Sequence, residues 1–107
     1  MYNMTAGTWI HPIVSVKTGS NVKNLDTRLF KNLTSLTKFD GPKVEIVGGE
    51  VFSGCTGLNQ VSLPSVKELM VSSFLGCTSL TSLNIPASIT DIYLYVFNGC
   101  TNLTVNF

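Results

Sequence analysis

A seven-residue box that returns every 22 or 23 residues is the sequence feature that most restricts the fold of this chain. Three copies share the pattern F-x-G-C-T-x-L and occupy residues 52–58, 74–80 and 97–103. A weaker copy at residues 30–36 has Asn32 and Leu33 where the others have Gly and Cys. A fixed period in the twenties indicates units that stack side by side, because one unit alone is too small to bury its apolar residues.

A second shared pattern links successive boxes. Residues 58–69 follow L-x-x-V-x-L-P-x-V-x-x-L, and residues 80–92 follow L-x-x-L-x-I-P-x-x-I-x-x-I, whereas the earlier copy has Gly41 at the third apolar site. We predict one short strand per coil at this pattern, with the strands lining one continuous parallel sheet. Proline lacks an N–H and suits the end of each strand, and the Gly before Cys suits a tight turn with positive φ.

These motifs carry a family resemblance. The F-x-G-C-T-x-L boxes, the prolines and the V-x-x-L or I-x-x-I pairs of residues 20–107 resemble the BspA-like class of leucine-rich repeat, found in many surface proteins of anaerobic bacteria and some protozoa. The resemblance implies a β-rich leucine-rich repeat solenoid of about four coils, with a short parallel sheet and few or no regular helices. It also implies a cell-surface or secreted location and a role in adhesion or host-factor binding.

The two ends of the chain depart from the repeat. Residues 1–19 lack the pattern, so we predict an N-terminal cap that includes Trp9 and a strand at Val14-Ser15-Val16, followed by repeats in residues 20–107. Residues 103–107 fall in the last coil's strand, one residue off the register of the earlier strands. We expect an open end with an unpaired strand edge, so either the chain is cut from a longer protein or it forms a homo-oligomer through that end.

Composition and charge exclude several classes of function. The net charge is +1 and only 12% of residues are charged, so no basic field is present to attract nucleic acid or an anionic membrane. No apolar run approaches the roughly 18 residues of a membrane span, and no membrane insertion is predicted. Cys55, Cys77 and Cys100 share one phase of the repeat without CxxC spacing, which favours small buried apolar residues over a zinc site or reactive thiols.

The sequence offers little for catalysis. His11 is the single histidine, and no acid or nucleophile lies near it in sequence. The six acidic residues fall at different phases of the repeat, so we expect that stacking does not bring two carboxylates together as a calcium or paired-carboxylate site would require. We therefore predict no enzyme, no catalytic residue, no cofactor and no metal.

Two rows of residues are predicted to face solvent. The first lies on the strands and is polar: Thr37, Lys38, Asp40, Asn59, Gln60, Ser62, Thr81, Ser82 and Asn84. It could hold a glycan or a protein loop, or simply be a solvated face. The second row lies before the phenylalanines and changes from charged to apolar along the chain: 26–28, 48–50, 70–72 and 93–95.

The apolar end of the second row is the candidate partner-binding site. It consists of Met70, Val71, Tyr93, Leu94 and Tyr95, and exposed apolar patches of this kind mark interaction sites. The alternative is that some of these side chains fold inward.

Two hypotheses of different classes follow. The first is a non-enzymatic protein-interaction or adhesion module that presents its repeat surface to a protein or glycan. The second is a self-assembling structural subunit, such as a fibre or appendage component, that uses the C-terminal end and residues 93–95 for subunit contacts. The sequence identifies neither the ligand nor the face that binds it.

Overall fold

A computed structural model describes residues 12–107, which wind into a parallel β-solenoid of about four turns; Trp9 and His11 lie outside this range. Within it the chain forms short strands and turns and no helix. The strands are β1 Ser15–Lys17, β2 Asn24–Leu25, β3 Lys38–Asp40, β4 Ile46–Val47, β5 Gln60–Ser62, β6 Glu68–Leu69, β7 Ser82–Asn84, β8 Asp91–Ile92 and β9 Thr104–Asn106. The predicted solenoid fold is confirmed.

Each coil contributes two strands rather than the one that the sequence predicted. The second strand lies at the V-x-x-L pattern, and β2, β4, β6 and β8 form a continuous parallel sheet in that order. Leu25, Val47, Leu69 and Ile92 are register partners along it. The segment is extended because its backbone groups pair with the same positions of the next coil: the Lys67 N–H donates to the Glu45 carbonyl at 2.7 Å.

The first sheet, at the L-x-x-L-x-L pattern, is interrupted, so the prediction of one continuous sheet is wrong at that point. β1, β3 and β5 pair in parallel, β7 pairs with β9, and β5 does not pair with β7. The Gly41 N–H donates to the Ser62 carbonyl at 3.0 Å, but Leu63 makes no such bond to Asn84.

The residues that follow the strands differ on the two sides of the interruption. Gly41 has no side chain, and the Phe39 ring fills that space, 2.8 Å from where a Cβ would be. Leu63 and Ile85, one coil apart, instead both bring branched side chains to this level of the core. The coils part there, and a cleft of about 370 Å³ opens between them, lined in part by Pro64 and Pro86.

A ladder of phenylalanines forms the centre of the core, as the period predicted. Phe52 and Phe74 are fully buried, and Phe30 and Phe97 extend the stack on either side. Successive ring centroids are 5.7, 5.0 and 6.1 Å apart, and the planes are inclined by 21° to 26°. Offset stacking of this kind adds about 0.5 to 1.5 kcal/mol per pair beyond the burial of area.

The cysteine ladder does more than fill space. Each thiol donates a hydrogen bond to the carbonyl of the phenylalanine one coil earlier, at 3.1 Å from Cys55, 3.2 Å from Cys77 and 3.0 Å from Cys100. Burial raises the pKa of the Cys55 thiol, which keeps it protonated as a donor. The sequence predicted buried apolar residues here, which holds for Cys55 and Cys77, whereas Cys100 is half-buried. It did not predict the hydrogen bonds.

Two turns per coil use left-handed backbone. Gly54, Gly76 and Gly99 have φ of 74°, 73° and 78°, and Asn32 takes 60° at the same position, which confirms the predicted turn. The second turn, before the phenylalanine box, has positive φ at residues that are not glycine: Arg28, Glu50, Ser72 and Tyr95. Nothing in their residue types indicated this conformation.

The ends of the described range continue the first sheet. β1 pairs with β3 in the register Ser15↔Lys38, and Val16 packs half-buried against the core. The predicted boundary between cap and repeats at residue 19 stays a prediction. β1 covers the edge of β3, as a strand of a cap would, but its register also fits a further copy of the repeat. In β9, Val105 pairs with Leu83, 22 residues earlier, whereas the last two boxes are 23 residues apart. This confirms the predicted shift of the last strand by one residue.

Candidate protein-binding surface

The predicted binding residues lie together on the loops that follow β6 and β8. The exposed fractions are 46% for Val71, 45% for Tyr93, 69% for Leu94 and 63% for Tyr95, whereas Met70 is half-buried. Val71, Tyr93, Leu94 and Tyr95 are called the tyrosine patch below. They come from two adjacent coils and form one exposed apolar area.

The backbone of the tyrosine patch is held by the ladders on either side of it. Leu69 and Phe74 point inward and leave a short loop between them that must turn back within a few residues. The Tyr93 N–H donates to the Leu69 carbonyl at 2.9 Å, and the Ser72 N–H donates to the Leu94 carbonyl at 3.0 Å. These bonds join the two loops, so the patch residues project from a fixed backbone.

The patch ends sharply toward the N-terminal coils. On this side Val71 packs against Gly49, which has no side chain; a Cβ on Gly49 would lie 3.5 Å from Val71 Cγ1. Beyond it the row becomes charged, since Glu50 pairs with Lys31 at 2.6 Å and with Arg28 at 3.1 Å. The hydrogen bond from Lys31, and the charges of Lys31 and Arg28, hold the pKa of the Glu50 carboxyl below its ordinary value of 4.5.

Tyr95 adopts a conformation that suits its residue type poorly. Its φ is 60°, and left-handed backbone costs about 1 to 2 kcal/mol for a residue with a Cβ. Its side chain is mostly exposed and therefore recovers little of this through packing. Arg28, Glu50 and Ser72 have the same conformation at this position of the earlier coils, so the left-handed turn belongs to the repeat and fixes the direction of the Tyr95 side chain.

Two carboxylates lie beside the tyrosine patch, which corrects the expectation that stacking keeps the acids apart. Glu68 and Asp91 are register partners on β6 and β8. Each directly precedes a ladder residue, Leu69 or Ile92, so the sheet sets them side by side; this shared phase was visible in the sequence and was missed. In the described part of the chain, neither carboxylate forms an ion pair with a lysine or arginine.

Tyr93 connects the acid pair to the patch. Its hydroxyl donates to Glu68 Oε1 at 3.5 Å, and the carboxylates of Asp91 and Glu68 raise the pKa of that hydroxyl. The Thr90 hydroxyl donates to Asp91 Oδ2 at 3.0 Å. Among residues 12–107 no cluster of three or more potential metal ligands occurs.

The row on the first sheet is polar and mostly exposed, as predicted, although Thr37 and Asp40 are half-buried. Lys38, Gln60 and Ser82 face solvent, and the Asn106 amide donates to the Asn84 side-chain oxygen at 3.3 Å. This face carries no aromatic side chain within the described strands. It offers scattered hydrogen-bonding groups rather than a contiguous apolar contact area.

Comparison with known proteins identifies the repeat. A family model described as the BspA type leucine-rich repeat region matches residues 9–105 in six copies. The chain belongs to the BspA-type leucine-rich repeat family. This confirms the resemblance inferred from the boxes, and the match begins within the predicted N-terminal cap. Leucine-rich repeat proteins of this type are typically interaction modules.

Solved structures of bacterial leucine-rich repeat proteins share this fold. A leucine-rich repeat protein from Bacteroides ovatus is 35% identical with a TM-score of 0.81, over 87% of this chain and 24% of its own. A leucine-rich cell-surface protein from Faecalibacterium prausnitzii is 26% identical with a TM-score of 0.74, over 89% of this chain and 31% of its own. The pneumococcal vaccine antigen PcpA is 26% identical with a TM-score of 0.79, over 86% of this chain and 24% of its own.

The BspA-type chain therefore spans 24% to 31% of the length of these three proteins. A search of curated proteins gives no match. The described residues contain no helix of the length and apolarity that a membrane span needs.

Proposed function

We propose that this BspA-type chain is a non-enzymatic protein-binding module and that it binds its partner through the tyrosine patch. One observation carries the proposal: two tyrosines and two aliphatic residues of adjacent coils stand exposed on a backbone fixed by ladder hydrogen bonds. Tyrosine is enriched at the centres of protein interfaces because it brings a large contact area at low entropic cost. A fixed backbone reduces the cost further, since little has to be ordered on binding.

The character of the patch favours a protein over a glycan. A glycan presents many hydroxyl groups that need hydrogen-bonding partners when they leave water. The patch offers two phenol hydroxyls, and that of Tyr93 already faces Glu68. A protein surface with exposed apolar side chains matches the patch better.

The proposal includes a location at the cell surface or outside the cell. It is supported by the Faecalibacterium protein, which is named as a cell-surface protein and is 26% identical to this chain over the matched region. Antibody labelling of intact cells that produce the chain should detect it; labelling only after lysis would contradict the location.

The binding test uses a displayed library of random peptides as its probe. Peptides are selected on the wild-type chain and then measured on Tyr93→Ser with Tyr95→Ser. The control is Gln60→Ala with Ser82→Ala, which changes the same number of exposed residues on the first sheet. We expect the tyrosine variant to lose most binding, by tenfold or more on the scale of interface hot spots, and the control to keep it.

Two results would contradict this. Selected peptides that bind both variants alike would remove the tyrosine patch as the binding site. Light scattering on a sizing column, with reductant present, addresses the alternative of a self-assembling subunit: a stable oligomer that the tyrosine variant converts to monomers would favour that alternative.

A further inference from the structure

The acid pair beside the tyrosine patch is electrostatically incomplete. Glu68 and Asp91 face each other across two paired parallel strands, and like charges directly opposite one another in a sheet are destabilising. Glu50 and Glu45, by contrast, each have a basic partner at 4 Å or less: Glu50 pairs with Lys31, and Glu45 with Lys67. Thr90 and Tyr93 give the acid pair only neutral hydroxyl donors.

The charge of the described residues is divided along the solenoid axis. Residues 12–43 contain six basic and two acidic residues, a net charge of +4. Residues 44–107 contain one basic residue, Lys67, and four acidic residues, a net charge of −3. The tyrosine patch and the acid pair thus lie in the negative half, where a positively charged partner is attracted and a negative one is repelled.

These observations indicate the charge of the partner's contact surface. The inference rests on the proposed function. We propose that the protein that binds the tyrosine patch presents a lysine or arginine next to its apolar contact residue, and that the Glu68–Asp91 pair binds this cation. Tyr93 sets the spacing, since its ring belongs to the patch and its hydroxyl contacts Glu68. A cation between the carboxylates would relieve their repulsion while the apolar neighbour covers Leu94 and Tyr95.

The experiment reads the sequences and affinities of the peptides selected on the wild-type chain. Peptides whose binding depends on Tyr93 and Tyr95 should be enriched in Lys or Arg and depleted in Asp and Glu relative to the unselected library. Their affinity should fall roughly three- to tenfold on Glu68→Gln with Asp91→Asn, the range for two partly exposed ion pairs. The control, Asp26→Asn with Asp40→Asn, removes the same net charge away from the patch and should leave affinity within about twofold.

The outcomes separate this inference from the proposed function. Peptides that depend on the tyrosines but show no basic enrichment, and that bind the Gln/Asn variant as tightly as wild type, would overturn the inference and leave the proposed function standing. The absence of any tyrosine-dependent peptide would overturn both.

A second measurement tests the inference without a variant, in case Glu68→Gln with Asp91→Asn does not fold. Binding to the wild-type chain should weaken as salt is raised, and affinity independent of salt would overturn the inference. The inference would also be overturned if added chain displaced the selected peptides and the solution mass of the chain rose with its concentration. The partner at the patch would then be a second copy of the chain.

Discussion

Phe74→Ala tests whether the coils stack in the register described above. Phe74 is fully buried, with ring centroids 5.0 Å from Phe52 and 6.1 Å from Phe97. Truncation of a buried phenylalanine costs about 3 to 5 kcal/mol, and each lost aromatic pair accounts for about 0.5 to 1.5 kcal/mol. Because the hydrogen-bonded ladders prevent the coils from closing the cavity, we expect a loss in the upper half of that range, about 4 kcal/mol.

The assay is urea unfolding followed by circular dichroism, with the free energy taken from the linear extrapolation. Phe97→Ala is the matched control: Phe97 is half-buried with one stacked neighbour, so we expect a loss of less than about 2 kcal/mol. Since domains of this size have about 5 to 15 kcal/mol of stability, Phe74→Leu provides a milder variant that should remain folded. A loss below about 1 kcal/mol for Phe74→Ala, as at an exposed site, would refute the stacking register.

Three further predictions follow from particular contacts. Gly48→Ala should destabilise the chain by about 1 to 3 kcal/mol in the same assay, because its Cβ would collide with the Leu25 backbone carbonyl. Gly19→Ala is the control and should be nearly neutral, since its Cβ meets nothing within 4 Å; equal effects would contradict the close packing of the coils. The pKa of Glu50 is lower in the folded chain than in the unfolded chain, so Glu50 adds stability above its unfolded pKa, and this stability is lost as pH falls through its folded pKa. Between roughly pH 5 and pH 3 the wild type should therefore lose more stability than Glu50→Gln, and parallel stability curves would contradict the ion pairs. The amide of Leu63 should exchange with solvent at least about tenfold faster than that of Gly41, and equal protection in hydrogen-exchange NMR would mean that the first sheet is continuous.

The repeat itself could be predicted from the sequence because each position in it has one physical task. The spacing of Phe52, Phe74 and Phe97 indicated the stack, and the glycine at 54, 76 and 99 indicated the left-handed turn. These residue types are restricted by burial and by φ, so the pattern alone was sufficient.

Other features depend on relations between coils that a residue pattern does not express. The second sheet consists of strands two residues long, held by hydrogen bonds to the neighbouring coil rather than by strand propensity. The left-handed turn at Glu50, Ser72 and Tyr95 is imposed by the two ladders on either side, whatever residue occupies it. The interruption after β5 concerns the pairing of one coil with the next, which comparison of single repeats does not reveal.

The candidate site was partly predictable. The apolar end of the second row was identified from the order of residue types, although Met70 is half-buried. The pairing of Glu68 with Asp91 could have been found by aligning the acids on the ladder residues that follow them. Which of the two exposed faces binds the partner stays a prediction.

The most direct test of the proposed binding face is NMR mapping with a selected peptide on the 11.6 kDa chain. Backbone amide shifts would be followed during titration of the isotopically labelled protein. The tyrosine-patch account predicts that the largest changes centre on residues 71 and 93–95, extend to Glu68 and Asp91, and leave β3, β5 and β7 unchanged. Changes centred instead on those three strands, or on the cleft between Pro64 and Pro86, would contradict it.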